Sequence, residues 1–467
     1  MAVMGDQPLF ISSASGGRDK AVVDLLNGMF LMAAERNISD IHFDEREADG
    51  LIRGRLGNDM IQLTSVSKEV YRDIDLKIRS KSKMELANVR RPLDGRFKLS
   101  YEDANVDLDV RVSIVPSING TAIVCRLLDQ RNAARDIESI YMQPATREAI
   151  KDVIKEPNGL FLVTGPTGSG KTSTLYSILN ELNTSERMIL TIEDPVEYRL
   201  PGIRQINIEQ NTSFPQALKA ALRQDPDIIL VGEIRDAETA AIAVTAAVTG
   251  HLVLSTLHTN DAASTITRLI DLGVDPYTLG SALRGVLAQR LVRRLADDFV
   301  MREPTLSEKL WMRAQGIPDQ ESDVADVAEG LGAAAYSGKV PVMELIVVDK
   351  AIRQAMIRND AKLIGQLARK QDQYLSLSEA GVLVCRQGMT SISEVRSITS
   401  NNEMGGAAKR LGELLIEAGE LSFFQLEVAL EEQKRLRDEG SNKLLGQVLV
   451  EMRFCSQEAI SDALALQ

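Results

Sequence analysis

A glycine-rich segment near the middle of the chain has the spacing of a phosphate-binding loop. Residues 165–172 read GPTGSGKT, with an apolar strand candidate before them and a helix candidate, residues 173–182, after them. Glycines let successive backbone N–H groups converge on phosphate oxygens, and the helix N-terminus adds the positive end of its dipole. The sequence therefore predicts a nucleoside triphosphate site made of Gly165, Pro166, Thr167, Gly168, Ser169, Gly170, Lys171, Thr172 and Ser173.

Two side chains of this loop and two acidic strand ends supply what a triphosphate and a magnesium ion need. We expect Lys171 to reach the β- and γ-phosphates and the Thr172 hydroxyl to ligate Mg²⁺. Glu233 ends the apolar run DIILVGE, where it can hold Mg²⁺ through a water or polarise an attacking water, and Glu193 ends another such run. Because the carboxyl ends of neighbouring parallel strands face the phosphate crevice, both acids are predicted to face the loop.

Two of the three histidines, His251 and His258, flank the apolar run of residues 252–257. Seven residues of strand span more than about 20 Å, so one metal ion cannot bind both side chains. We interpret His258 as a phosphate sensor or hydrogen-bond relay, with a purely structural role as the alternative.

The composition excludes several other classes of protein. The 467 residues include 54 Lys+Arg and 66 Asp+Glu, a formal charge of −12, and only 4% are aromatic, so a nucleic acid partner is not expected. Three distant cysteines encode neither a zinc site nor a disulfide framework, which predicts a reduced, cytosolic chain. No run of about 18 apolar residues is present, so no transmembrane segment is expected.

The order of the predicted elements indicates two domains of different construction. A helix candidate followed by alternating β-rich stretches, ending near residue 128, is typical of an α+β domain. From about residue 136, continuous apolar strands alternate with helices, which indicates an α/β domain with a parallel sheet covered on both faces. The polar stretch of residues 297–339 is expected to be a surface insertion or a mobile loop.

A flexible linker, residues 399–409, is predicted to precede an internal repeat. Six positions recur at an offset of 34 residues, which predicts two copies of a helix pair in a small bundle over residues 410–467. The positions are Gly412, Leu415, Ile416, Leu426, Leu430 and Gln433 in the first copy, and Gly446, Leu449, Val450, Ile460, Leu464 and Gln467 in the second.

Four segments, GPTGSGKT, TIEDPVEY, DPDIILVGEIRD and TGHLVLSTLHTN, follow one another along the chain. They resemble, in order, the Walker A, Asp box, Walker B and His box motifs of the secretion ATPase superfamily that serves type II secretion and type IV pilus assembly, the GspE/PilB group. The resemblance implies a short N-terminal tail (residues 1–18), a PAS-like domain (19–130) and a RecA-like ATPase domain (136–398). It also implies that LAQRLVRRL, residues 287–295, is a helix.

The resemblance also implies a role for each candidate residue. Glu193 resembles the catalytic glutamate of the Asp box, Glu233 the Walker B acid and His258 the His-box residue. Arg111 and Arg126 match two family arginines that reach a nucleotide across a domain or subunit junction, which fits an arginine-finger clamp; ordinary strand-surface arginines are the alternative. The family implies a homo-hexamer that uses ATP and Mg²⁺, is cytoplasmic and peripheral at the inner membrane, and acts through an inner-membrane platform protein.

Two departures from the family concern its cofactors. Many members bind zinc through two CxxC pairs, but residues 295–299 and 330–334 hold no thiolate there, so no zinc is expected. Residues 410–433 resemble a cyclic di-GMP-binding module that lies N-terminally in some pilus ATPases. In the second copy Leu444 and Arg453 replace an Arg and a Gly of that module, so two interpretations stay open: cyclic di-GMP binding, or protein docking alone.

The sequence favours a motor ATPase for pilus assembly or type II secretion over three alternatives. A pilus retraction ATPase is disfavoured because residues 357–399 more closely resemble the assembly and secretion branch. A conjugation-type nucleic-acid translocase on the same core is disfavoured by the acidic composition and the few aromatic residues. A signalling receptor with vestigial hydrolysis is disfavoured because Lys171, Glu193 and Glu233 are all present.

Overall fold

A computed structural model describes residues 17–36, 38–57, 59–86, 91–132, 135–208, 212–318, 323–328, 335–399, 415, 421–438, 443–457 and 459–460. The strands are β1 (Ile38–Glu45), β2 (Asp49–Leu56), β3 (Asp59–Ser67), β4 (Leu93–Tyr101), β5 (Val106–Ser117), β6 (Gly120–Asp129), β7 (Gly159–Thr164), β8 (Ile189–Glu193), β9 (Arg204–Asn207), β10 (Ile228–Val231), β11 (Leu252–Leu257), β12 (Leu283–Leu295), β13 (Phe299–Arg302), β14 (Val324–Val327) and β15 (Tyr336–Val347).

The helices are α1 (Gly17–Glu35), α2 (Lys68–Lys81), α3 (Pro144–Ile154), α4 (Lys171–Leu182), α5 (Phe214–Ala221), α6 (Ala237–Val248), α7 (Ala262–Asp271), α8 (Pro276–Ala282), α9 (Leu306–Ala314), α10 (Lys350–Ile357), α11 (Ala361–Ala368), α12 (Leu377–Arg386), α13 (Ile392–Thr399), α14 (Phe423–Asp438) and α15 (Leu445–Glu451). The chain divides into two compact units. The first holds Met1–Ile140, Ile154–Phe161 and Thr172–Thr256, and the second holds Tyr141–Val153, Leu162–Lys171 and Leu257–Gln467.

The N-terminal part of the first unit is a six-stranded antiparallel sheet in the order β3-β2-β1-β6-β5-β4, with α1 and α2 packed on one face. Alternate residues of β5 are buried, from Val106 to Ile114, because the sheet covers its core with one face only. Phe30, Phe43 and Tyr71 are among the largest fully buried side chains of this core. The opposite face carries most of the charged residues of the same strands.

The first unit also contains four parallel strands in the order β11-β10-β8-β9. Every residue of β8, β10 and β11 is buried, as expected for a sheet covered on both faces. Capping residues fix where the following helices begin; Asp236, for example, accepts a hydrogen bond from Thr239 N at 2.8 Å at the start of α6. The predicted α/β class with a parallel-sheet core is confirmed.

In the second unit, β12 and β15 form a long antiparallel pair. The prediction that residues 287–295 form a helix is wrong, because they are the C-terminal part of β12. A run of buried apolar residues has no periodicity that separates helix from strand, and the pairing with β15, more than 40 residues away, decides the outcome.

One carboxylate of β15 joins two helix N-termini in the second unit. Glu344 is 5% exposed and accepts hydrogen bonds from the backbone N of Ala262 (3.0 Å) and of Leu377 (3.3 Å), the first residues of α7 and α12. Burial raises the pKa of Glu344 to about 7, although these N–H groups favour its ionised form.

For the polar stretch of residues 297–339, the mobile-loop alternative is wrong for the described residues, while a surface insertion stays a prediction. Its described residues form α9 and the two-stranded sheet of β13 and β14. Met312, Val324 and Ala325 pack with Val382 and Cys385 in one buried cluster. The composition misleads here because each element buries only one face, which leaves most of the side chains polar.

The described C-terminal residues include α14, α15 and a small apolar core. Leu415 and Leu449, which occupy equivalent positions of the repeat, are both fully buried in that core. Gly412, Ile416, Leu464, Gln467 and most of the linker lie outside the described residues. Within the described part of the chain, the search for a helix both long and apolar enough to cross a bilayer finds none.

Candidate functional site

The glycine-rich loop follows β7, whose six residues are all buried. Gly165, Gly168 and Gly170 have φ angles of 148°, 79° and 86°, values that L side chains rarely adopt. The tip of the loop, with Pro166 and Thr167, is exposed. The backbone therefore requires the glycines that the sequence supplies.

Two polar side chains of the loop are buried. Lys171, 8% exposed, donates from Nζ to the carbonyl oxygens of Gly165 (2.8 Å) and Pro166 (3.1 Å). The Ser169 hydroxyl is buried and has no hydrogen-bond partner among the described residues. An unsatisfied buried polar group costs roughly 1–3 kcal/mol, and a phosphate oxygen can satisfy it. The loop therefore fits the phosphates of a nucleotide; Thr172 is half-buried and Ser173 exposed in the first turn of α4.

Gln289 and Arg290 of β12 contact the loop segment and the His-box segment. Gln289 is 2% exposed and donates from Nε2 to the Ser169 carbonyl oxygen at 2.8 Å. A Cβ atom at Gly170 would lie 2.8 Å from the same nitrogen. Arg290, 5% exposed, donates to the carbonyl oxygen of Asn260 at 2.8 Å. Neither residue is predicted as part of the site from the sequence, where the available signal is two polar residues inside an otherwise apolar run.

A chain of hydroxyl groups connects the end of β7 to the segment that carries His258. The Oγ1 atoms of Thr164 and Thr259 are 2.6 Å apart, and those of Thr259 and Thr265 are 2.5 Å apart. His258 itself is exposed and directly follows β11. Because Thr164 ends β7, a movement of that strand would displace Thr259, the residue that follows His258.

Glu193 is the last residue of β8 and is 4% exposed. Its carboxylate accepts hydrogen bonds from the Tyr176 hydroxyl, from Thr191 Oγ1 (2.6 Å) and from Gln205 Nε2 (3.4 Å). Burial raises the pKa of Glu193 above that of an ordinary glutamate, and the three hydrogen bonds limit the rise because they favour the ionised form. A buried, oriented carboxylate with a raised pKa has the properties of a general base.

Glu233 follows β10, the strand adjacent to β8. Ile192 and Val231 are opposite each other, so Glu193 and Glu233 stand at the carboxyl ends of neighbouring strands. The segment is fixed on two sides, since Gly232 N donates to the Ile192 carbonyl oxygen at 2.8 Å and Ile234 N donates to Thr256 at 3.0 Å. Glu233 forms an ion pair with Arg235 at 2.5 Å and keeps only 12% of its side chain exposed.

Three arginines stand side by side across the polar face of the six-stranded sheet. Arg96 of β4 is opposite Arg111 of β5, and Arg111 is opposite Arg126 of β6. Like charges directly opposite each other destabilise a sheet unless counter-charges are close. We call these residues the arginine row; it is a surface that favours an anion.

Two arginines of the arginine row already form ion pairs with carboxylates of the same chain. Arg111 donates to the Val196 carbonyl oxygen (2.7 Å) and pairs with Glu197 (3.0 Å), while Arg126 donates to Asp40 at 2.8 Å. Burial of Asp40 raises its pKa, but hydrogen bonds from Ser39 and Arg126 outweigh burial and hold the pKa below the ordinary value.

The arginine row lines a cavity of about 610 Å³ that the Asp-box segment also lines. Pro195 and Val196, which follow Glu193 in the chain, belong to its wall. The structure thus brings Arg111 and Arg126 to the segment that contains Glu193, although β5 and β8 are far apart in sequence. Arg96, Asp40 and Glu197 are not predictable from the sequence, since only the strand register and the fold of the Asp-box segment bring them to the two predicted arginines.

A glycine loop between a buried strand and a helix defines a P-loop nucleotide-binding protein. A family model described as "Type II/IV secretion system protein" matches residues 17–397. The chain is 41% identical over 385 residues to type II secretion system protein E of Aeromonas hydrophila, which covers 82% of this chain and 76% of that protein. The chain belongs to the type II/IV secretion system protein family.

Two further comparisons concern pilus assembly and the fold. The chain is 40% identical over 388 residues to the type IV pilus assembly ATPase PilB of Thermus thermophilus, which covers 81% of this chain and 43% of that protein. The X-ray structure of the Legionella pneumophila ATPase DotB superposes with a TM-score of 0.63 at 22% identity, covering 81% of this chain and 96% of that one. The second similarity supports the fold alone.

Proposed function

We propose that this chain is the motor ATPase of a type IV pilus assembly or type II secretion system, acting through an inner-membrane platform protein. The observation that carries the proposal is the Glu193 carboxylate, which is buried, oriented by three hydrogen bonds and adjacent to the strand of Glu233. The 41% and 40% identities to type II secretion system protein E and to PilB support the choice of system.

Each part of the site has a role in ATP hydrolysis. The glycine loop and Lys171 would bind the phosphates. The Thr172 hydroxyl and Glu233, the latter through a water, would hold Mg²⁺, which would supply positive charge to the phosphates. Glu193 accepts the proton of the attacking water. His258 senses or relays the state of the terminal phosphate.

The arginine row supplies positive charge to the nucleotide. Arg111 and Arg126 exchange their pairs with Glu197 and Asp40 for phosphate oxygens, which stabilises the charge of the transition state. This exchange makes a competent site depend on the position of the PAS-like domain, so that hydrolysis drives rigid-body motion.

The assembly is proposed to be a homo-hexamer, cytoplasmic and peripheral at the inner membrane. The domain boundaries at residues 19–130, 136–398 and 410–467 remain part of the proposal. The absence of zinc, and the choice between cyclic di-GMP binding and protein docking at the C-terminal bundle, stay predictions.

Phosphate release and nucleotide binding test the proposed roles. Lys171→Ala should weaken ATP binding, whereas Glu193→Gln should retain binding and slow turnover by about 10²–10⁴-fold. Glu181→Gln, the same change at an exposed position of α4, is the control. Wild-type turnover in Glu193→Gln would refute the assignment of the base. In the host, Glu193→Gln should fail to restore pili or secretion to a strain that lacks this chain; full restoration would refute the motor function.

A further inference from the structure

A second, smaller cavity of about 320 Å³ lies in the first unit and is strongly basic. Its lining includes five cationic side chains and one carboxylate, in a chain whose formal charge is −12. We call it the basic cavity; its charged residues are Lys81, Lys83, Arg96, Lys98, Arg199 and Asp109.

The five cations come from three separate parts of the fold. Lys81 ends α2 and Lys83 follows it, Arg96 and Lys98 lie on the same face of β4, and Arg199 lies in the segment before β9. The attraction of a helix C-terminus for cations accounts for Lys81 alone. The periodicity of a single helix or strand cannot explain why cations from three separate parts of the fold meet at one cavity.

Within the described part of the chain, none of these five side chains has a hydrogen bond or an ion pair. Lys98 is opposite Asp109 in the register of β4 and β5, yet the two form no ion pair. The Oδ1 atom of Asp109 is buried and has no hydrogen-bond partner among the described residues. The cavity therefore gathers positive charge that the protein does not neutralise internally.

Unneutralised like charges around a concavity raise its potential and concentrate anions there. The concavity suits a compact anion, whereas a nucleic acid backbone needs an extended groove with aromatic platforms, and only 4% of the residues are aromatic. Lysine and arginine together are the usual ligands of phosphate groups in proteins. Lys83, which adopts a φ of 56°, is held in a conformation uncommon for a non-glycine residue at the cavity wall.

We propose that the basic cavity is a second phosphate-binding site, separate from the glycine-rich loop. Its ligand carries at least two negative charges on phosphate, either as a free polyphosphate or as the headgroup of an anionic lipid. Asp109 lowers the affinity of the cavity for this ligand, because its carboxylate repels the same anion.

Calorimetric titration of the full chain with tripolyphosphate tests the proposal in a Lys171→Ala background, which weakens anion binding at the glycine-rich loop. Lys81→Gln combined with Lys98→Gln should weaken binding at least about tenfold, since two charges close to the anion are lost. Asp109→Asn should tighten binding about threefold. The charge-matched control is Lys350→Gln combined with Lys362→Gln, two exposed positions of α10 and α11. Unchanged thermal midpoints verify that each variant is folded.

Co-sedimentation with mixed cardiolipin–phosphatidylcholine vesicles, in which each cardiolipin headgroup carries two phosphates, separates the two sources of phosphate; pure phosphatidylcholine vesicles are the reference. Vesicle binding that follows the same variant order identifies the lipid headgroup, whereas tripolyphosphate binding without vesicle binding identifies a soluble ligand. The proposal is overturned if neither probe binds, or if the control pair weakens binding as much as the cavity pair. ATP hydrolysis is not a readout here, so failure of the proposed motor function would leave this result standing.

Discussion

Tyr176 offers a test of Glu193 as an ionised base that leaves Glu193 itself unchanged. The Tyr176 hydroxyl donates to the Glu193 carboxylate, and both side chains are buried. Tyr176→Phe removes this donor and keeps the ring, which packs edge-on against Tyr198 with centroids 6.2 Å apart. Because the bond favours the ionised carboxylate, its loss should raise the pKa of Glu193 further.

The size of the effect follows from the hydrogen bond that is lost. A hydrogen bond to a charged group contributes about 1.5–3 kcal/mol, and about 1.4 kcal/mol corresponds to one pKa unit. Thr191 and Gln205 remain as donors and take up part of the charge, so we expect a rise of about one unit. A base accepts a proton only when ionised, so the acidic limb of the kcat profile should move upward by the same amount.

The assay is phosphate release at saturating ATP and Mg²⁺ between about pH 5 and pH 9. The control is Tyr101→Phe, since the Tyr101 hydroxyl donates to the Asn27 carbonyl oxygen at 3.1 Å and lies in the six-stranded sheet, not in the sheet that carries Glu193. An acidic limb at the same pH in Tyr176→Phe and wild type would refute the assignment of Glu193. An equal shift in both tyrosine variants would show that the effect is general and not specific to this carboxylate.

Three further changes test other parts of the site. Gln289→Ala should raise the KM for ATP about tenfold with a smaller change in kcat, because the buried Ser169 carbonyl loses its donor; equal loss in both parameters would contradict a positioning role. Glu197→Gln should tighten nucleotide binding about threefold, because Arg111 loses its competing counter-charge; weaker binding in a fluorescent-nucleotide titration would argue against competition. Glu344, with a pKa raised to about 7, binds its proton more tightly in the folded state than in the unfolded state, where the pKa is ordinary. Wild-type stability should therefore fall by about 3 kcal/mol as the pH rises from 4.5 to 7, and urea midpoints of Glu344→Gln should lack this component.

The sequence was sufficient for the parts of the candidate site whose conformation is set locally; the catalytic roles of their residues stay predictions. The loop from Gly165 to Thr172 and the acidic ends of β8 and β10 are set by short segments whose composition reports their conformation. The partners of Arg111 and Arg126 were not predictable, because Glu197 and Asp40 are 86 residues away in each case and only tertiary folding brings them together. Nothing in a local window indicates such a pair.

The strand β12 is a second case in which tertiary contacts, and not the local sequence, decide the structure. Its buried run is compatible with a helix until β15 pairs with it, and only then do Gln289 and Arg290 acquire their contacts with the loop and His-box segments. Tyr176 could be placed on a helix from the sequence, but its hydroxyl partner on a neighbouring strand could not.

The ion pairs that already engage Arg111 and Arg126 set a threshold for any competing anion. Under the proposed function, a ligand recruits these guanidiniums only if it offers a denser charge than a single carboxylate. A terminal phosphate meets that condition, whereas the monoanionic metabolites of a cell do not. The arginines would therefore select phosphate over monoanions by charge and not by the shape of a pocket. Under the same proposal, Glu197 and Asp40 recover Arg111 and Arg126 once the terminal phosphate has left, so the protein's own acids compete with the nucleotide for these guanidiniums.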